Sequence, residues 1–153
     1  MRGAGRWVVI GLIIVSHFAF HPLWGSWPAG PDLLSGGLLL ASLGLRPGRA
    51  AALGLGLGLL EASMALGPLG PTMLVLAVGG FGGAWFRAMF YSDTARFTPT
   101  LLITGVIVIQ LALALVGATG LGLSTGLLLI PVSAVVTAAV CWTAERVVGF
   151  FIL

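Results

Sequence analysis

The chain reads as six long apolar runs separated by short stretches of Gly, Pro and Arg. The runs cover residues 7–24, 31–45, 50–66, 71–91, 99–118 and 123–148. Within each, apolar residues follow one another without the strict alternation of a half-buried strand, and this predicts helices. A helix rises about 1.5 Å per residue, so about 20 residues cross a hydrocarbon core of about 30 Å. The first, fourth and fifth runs meet that length, the sixth exceeds it, and the second falls short.

Composition turns this pattern into a statement about solvent. Of 153 residues, 59% are hydrophobic and 7% charged, whereas a soluble domain carries about 25% charged residues. Lipid is then the solvent for most of the surface. Backbone polar groups in lipid must be satisfied internally, which leaves helices or a closed barrel, and the uninterrupted runs select helices. The expected fold is all-α: a polytopic membrane bundle of six transmembrane helices, forming one domain over residues 1–153. The first twenty residues have the form of a signal peptide, with Arg2 and Arg6 ahead of an apolar stretch. No small-x-small cleavage site follows, so this segment is expected to be retained as the first span.

Charge placement tests the count of crossings. The net charge is +3, and all seven basic residues are arginines at the ends of apolar runs. They form no basic face, which argues against nucleic-acid binding. With six crossings and a cytoplasmic N-terminus, Arg2, Arg6, Arg46, Arg49, Arg87, Arg96 and Arg146 all fall on the cytoplasmic side. Dropping the second crossing would separate Arg2 and Arg6 from the other five. The positive-inside rule thus predicts six crossings with both termini cytoplasmic. Trp7, Trp85 and Trp142 then mark the inner boundary, and Trp24 and Trp27 the outer one. The short second run is expected to pack against protein or to sit where the bilayer thins.

Few residues offer chemistry. Gly54 and Gly58 share one helix face, and Gly79 and Gly83 form a second small-xxx-small pair. Both read as close helix packing, because a phosphate-binding loop needs a strand–loop–helix setting that is missing here. Glu61 lies about 18 Å up its helix from Arg49, in the outer half of the bilayer. An acid there is expected to form a buried contact or hinge, or to stay protonated and bond to Ser63, Ser35 or a backbone carbonyl. Asp32, just after Pro31, suits a helix N-terminus, and Asp32 and Glu61 together are positioned to line one outer pocket. His17 and His21 share a face but have too few companions for zinc, so interfacial or partner contacts are expected. Gln110 predicts an interhelical hydrogen bond, Glu145 and Arg146 a local pair or snorkelling, and Pro131 a kink. A single cysteine, Cys141, allows no internal disulfide and no cysteine-based metal site. The chain has no paired acid motif and no Ser–His or Asp–Asp arrangement at matching depth. The expectation is a non-enzymatic protein without cofactor or metal.

One stretch carries a family resemblance. Pro31-Asp32-Leu33-Leu34 opens a short helix, and a Gly-rich helix ending in the acid Glu61 follows. A Gly-Pro-Leu-Gly turn (Gly67 to Gly70) then leads into an apolar helix with Gly79 and Gly83. Across residues 31–91 this resembles the MreD family of bacterial rod shape-determining membrane proteins. In that family the acid is usually Asp, and Glu61 keeps the charge on a longer arm. The remaining helices match by length and topology. The resemblance implies a scaffold of the inner-membrane elongasome that binds MreC. With MreC it would support the SEDS glycosyltransferase, its class B penicillin-binding protein, and lateral peptidoglycan synthesis and cell shape. It also implies a bundle like the substrate-binding subunits of energy-coupling-factor transporters. The alternative function is therefore a vitamin-binding membrane subunit, whose outward cavity would draw on His21, Trp24, Trp27, Asp32 and Glu61.

Overall fold

The structure is a computed structural model, and it describes residues 3–24, 30–65, 68–90, 97–117 and 123–151. These form six helices: α1 (Gly3–Trp24), α2 (Leu33–Ser42), α3 (Pro47–Ala65), α4 (Leu69–Met89), α5 (Phe97–Leu115) and α6 (Leu123–Phe151). No strand occurs among the described residues. Among the described residues, three stretches are long and apolar enough to cross a membrane: Leu69–Met89, Thr98–Leu115 and Leu128–Val147. Gly5–Phe20 and Leu33–Ser42 are shorter apolar helices. The expected boundaries hold to within a few residues, except that α1 starts earlier and α2 is trimmed at both ends. Pro131 lies inside α6, which continues through it.

The short helix is the centre of the molecule. Every residue of α2 is buried, and α2 contacts each of the other five helices. Those five form an incomplete ring: α1 packs on α6, α6 on α5, α5 on α4, and α4 on α3. Among the described residues, the backbones of α1 and α3 do not come into contact. Ten helical residues cover only about 15 Å, half of a hydrocarbon core, so α2 can satisfy its environment only by being enclosed in protein.

Small residues make that enclosure possible. A side chain at Gly36 would overlap Cys141 Sγ and Thr137 on α6 at 2.6 and 2.8 Å. At Gly37 it would press on Ile14 of α1 at 3.0 Å. On the far side, Leu39 of α2 fits over Gly83 of α4 and Gly105 of α5. The most extensive helix pairs are α3–α4 and α5–α6. At the first, Gly54 lies against the backbone of Leu76, Gly58 against Met73 Cα, and Gly80 against the carbonyl of Ala50. The outer surface stays apolar, with Val8, Val15, Leu60, Val78, Phe81, Val108 and Val135 all exposed.

Gly54 and Gly58 thus act as the expected packing pair. Gly79 and Gly83 do not act together, because one turn of helix carries them to different neighbours. Gly79 faces Ile109 of α5, while Gly83 faces Ser42 and Leu39 of α2. The α4 glycine that admits α3 is Gly80. Gly70 is exposed, and a side chain there would meet nothing within 4 Å, so it takes no part in packing. Gly67 lies outside the described residues.

Candidate polar site at the ends of the central helix

A helix leaves its first N–H and last C=O groups without intrahelical partners, and in an apolar interior each must be satisfied. Both ends of α2 meet this demand with side chains from distant parts of the chain. At the N-terminus, the Asp32 carboxylate accepts from the Ser35 backbone N–H (3.1 Å) and the Ser35 hydroxyl (2.5 Å). The Asp32 N–H donates to Thr137 Oγ1 (2.8 Å), and the Thr137 hydroxyl donates to the Ser133 carbonyl (2.7 Å). Ser133 in turn donates to the Gly30 carbonyl (2.8 Å) and accepts from the Gln110 amide (2.9 Å). The same amide reaches Asp32 at 3.5 Å. The start of α2, α5 and α6 are therefore tied by one hydrogen-bonded cluster.

At the C-terminus each late carbonyl has a donor. Leu39 O accepts from the Leu43 N–H and the Ser42 hydroxyl, Ala41 O from the Gly44 N–H, and Ser42 O from the Leu45 N–H. Leu40 O accepts from Arg6 Nη2 at 2.9 Å, and Leu43 O accepts from Arg87 Nη1. The arginines come from the start of α1 and the end of α4. Arg6 also faces Glu145, near the end of α6, at 4.0 Å. A carboxylate thus stands at the positive end of the α2 dipole and two guanidinium groups at the negative end, the favourable arrangement at both.

The third polar feature bridges the open part of the ring. His17 Nε2 of α1 lies 3.2 Å from Glu61 Oε2 of α3, with the two side chains 11% and 21% exposed. The Phe18 ring packs edge-on to His17, and Asp32 lies within electrostatic reach of the imidazole.

These contacts correct several expectations. Of the two readings of Glu61, the structure shows a largely buried contact, with His17, a residue 44 positions away, in place of a bond to either serine. Ser35 is engaged with Asp32, and Ser63 donates to the Leu59 carbonyl of its own helix. Glu145 pairs across the bundle with Arg6 rather than with Arg146, whose guanidinium stacks over Trp142 at 5.4 Å. Pro31 is half-buried ahead of the Asp32 cap. Gln110 does make the expected interhelical bond. The side chains of His21 and Trp24, and all of Trp27, lie outside the described residues. Among the described residues no three His, Cys, Asp or Glu side chains gather as a metal site.

Sequence reasoning missed Ser133, Thr137, Arg6 and Arg87. A signal existed for the first two: Ser133, Thr137 and Cys141 recur every four residues and so share one face of α6. The arginine caps had none, because anchoring at a membrane boundary explains such arginines equally well. No protein family, curated protein or solved structure matches the chain.

Proposed function

We propose that this chain is a non-enzymatic scaffold of the bacterial cytoplasmic membrane, of the MreD type. It would hold MreC and, through it, support the elongasome's glycosyltransferase and transpeptidase. The observation that carries this reading is the use made of the polar residues. Asp32, Ser35, Gln110, Ser133, Thr137, Arg6 and Arg87 are all committed to fastening α2 within the ring. Such an interior produces a rigid body with an apolar exterior, the form suited to presenting a surface to another membrane helix.

The proposed topology has six crossings with both termini inside. Arg6, Arg87 and Glu145 meet at one end of α2, in keeping with alternating helices and a single arginine-rich face. In this topology α2 crosses as a half-length helix, completed by residues 30–32 and 43–46. Of the residues that carry the MreD resemblance, Gly54, Gly58, Gly79 and Gly83 are set against other helices of the bundle and Asp32 caps the central one, so the partner would contact outward residues instead. Co-expression with MreC from the same organism, followed by detergent pull-down, tests the reading. Recovery of a stoichiometric pair supports it, and repeated failure with both proteins folded in the membrane sinks it.

One observation favours a vitamin-binding subunit as the second reading. Asp32, Gln110 and Ser133 come together from three separate segments near one end of the bundle. Co-purification with a transporter ATPase would decide for that reading.

A further inference from the structure

The turn between α2 and α3 gathers positive charge from separate parts of the chain. Arg46 precedes α3, Arg49 lies in its first turn, and both are exposed. Arg87, from the end of α4, is held at the same turn because its guanidinium donates to the Leu43 carbonyl. A guanidinium carries several N–H donors, so this bond leaves most of them unspent. Arg6 sits about one turn earlier, on the Leu40 carbonyl, within electrostatic reach of Arg87. Like charges brought together in this way repel, and an anion between them relieves the repulsion. The one acid at this end among the described residues is Glu145, and it faces Arg6. Arg46, Arg49 and Arg87 have no ion-pair partner among the described residues.

The surface beside these arginines is apolar. Trp7 lies against the turn, where a side chain at Gly44 would meet its ring at 3.6 Å. Trp7, its neighbour Val8, and Phe86, which precedes Arg87, are all exposed. Tryptophan next to arginine at the end of an apolar helix marks the depth of lipid headgroups. We propose that the α2–α3 turn binds an anionic phospholipid, with Arg46, Arg49 and Arg87 on its phosphate and Trp7, Val8 and Phe86 beside its acyl chains. Guanidinium groups pair with phosphate through charge-assisted, often bidentate hydrogen bonds, and basic clusters between membrane helices select anionic headgroups. A phosphate that carries apolar chains satisfies the arginines and the apolar surface together. A free phosphate or a water-soluble acidic peptide satisfies only the arginines. The lipid site does not rest on the MreC reading, and either can fail alone.

The test uses the full chain in nanodiscs of equal parts phosphatidylglycerol and phosphatidylcholine. The lipids that stay bound after release into a neutral detergent are counted by native mass spectrometry. Wild type should retain phosphatidylglycerol in preference to phosphatidylcholine. Arg46→Gln and Arg49→Gln should each lower that preference by about fivefold. Both positions are exposed, so their melting temperatures without added lipid should match wild type. Arg146→Gln is the control: Arg146 is also exposed, but it lies on α6, which does not contact α3 among the described residues, and its guanidinium stacks on Trp142. This variant should keep the wild-type preference. Equal retention of the two lipids by wild type would overturn the proposal, as would an unchanged preference in both Arg46→Gln and Arg49→Gln. An equal fall in Arg146→Gln would mean diffuse attraction to the whole basic end, and no site at the turn. If inorganic phosphate raises the melting temperature in detergent as much as phosphatidylglycerol does, the turn takes a free anion and the lipid assignment fails.

Discussion

Substituting Gly54 by alanine tests the packing argument at its sharpest point. The added methyl would fall on the carbonyl group of Leu76, with its carbon 2.7 Å away and Ala77 Cα 2.9 Å away. These are backbone atoms of a helix, and no rotamer change can move them aside. Relief requires α3 and α4 to separate by about 0.5–1 Å, which forfeits about a quarter to a half of the dispersion attraction at each affected contact. Overpacking of this kind costs about 1–3 kcal/mol. Gly80→Ala meets the Ala50 carbonyl and belongs in the same range. Gly79→Ala differs in kind: its methyl meets only Ile109 Cδ1 and Cγ1 at 2.8 and 2.9 Å, and a side-chain tip can rotate. Gly56→Ala meets nothing within 4 Å and removes a poor helix former. The expected order of stability is Gly56→Ala at or above wild type, then Gly79→Ala, then Gly54→Ala and Gly80→Ala together. Thermal unfolding of the purified variants in one detergent, followed by circular dichroism, measures the order. Gly54→Ala melting level with Gly56→Ala would refute the claim that backbone contact sets the α3–α4 distance.

Asp32→Ala removes the cap of α2 and two acceptor bonds, and should cost about 0.5–2 kcal/mol in the same melting assay; no change would mean that the cluster adds nothing to stability. Arg6→Met preserves much of the side-chain bulk but leaves the carbonyl of the buried Leu40 without its donor, for a cost of about 1–3 kcal/mol. If Arg6→Met is instead as stable as wild type, water or another donor replaces the guanidinium. Cys141 is fully buried beneath Gly36, so a maleimide should label it only after denaturation. Rapid labelling in the native bundle would contradict the α2–α6 packing.

The helices were legible in the sequence because lipid imposes a simple rule: long uninterrupted apolar runs, punctuated by Gly, Pro and Arg. Gly54 and Gly58 were legible for a related reason, since a four-residue spacing fixes a common face. Gly79 and Gly83 follow the same rule yet serve two different helices. Spacing places residues on one face of their own helix, but a face one glycine wide can border two neighbours. The pairing of Glu61 with His17 was hidden, because the two belong to α1 and α3, whose relation depends on where α2 sits. The short run at 31–45 read as an awkward transmembrane segment. Its brevity is the mark of its position, since a fully enclosed helix need not match the thickness of the bilayer.

The central place of α2 also constrains the order of events during synthesis. Chains emerge from the N-terminus, so α2 is made before α3, α4, α5 and α6, four of the five helices that bury it. In that interval it is too short to be held by lipid alone, and Gly30, Asp32 and Arg6 have only some of their eventual contacts. Gln110 arrives with α5, and Ser133 and Thr137 with α6, so the start of α2 reaches its final state only when the last helix docks. The bundle closes late, from its last-made segment inward, and a chain cut short within α6 would leave its own centre unfinished.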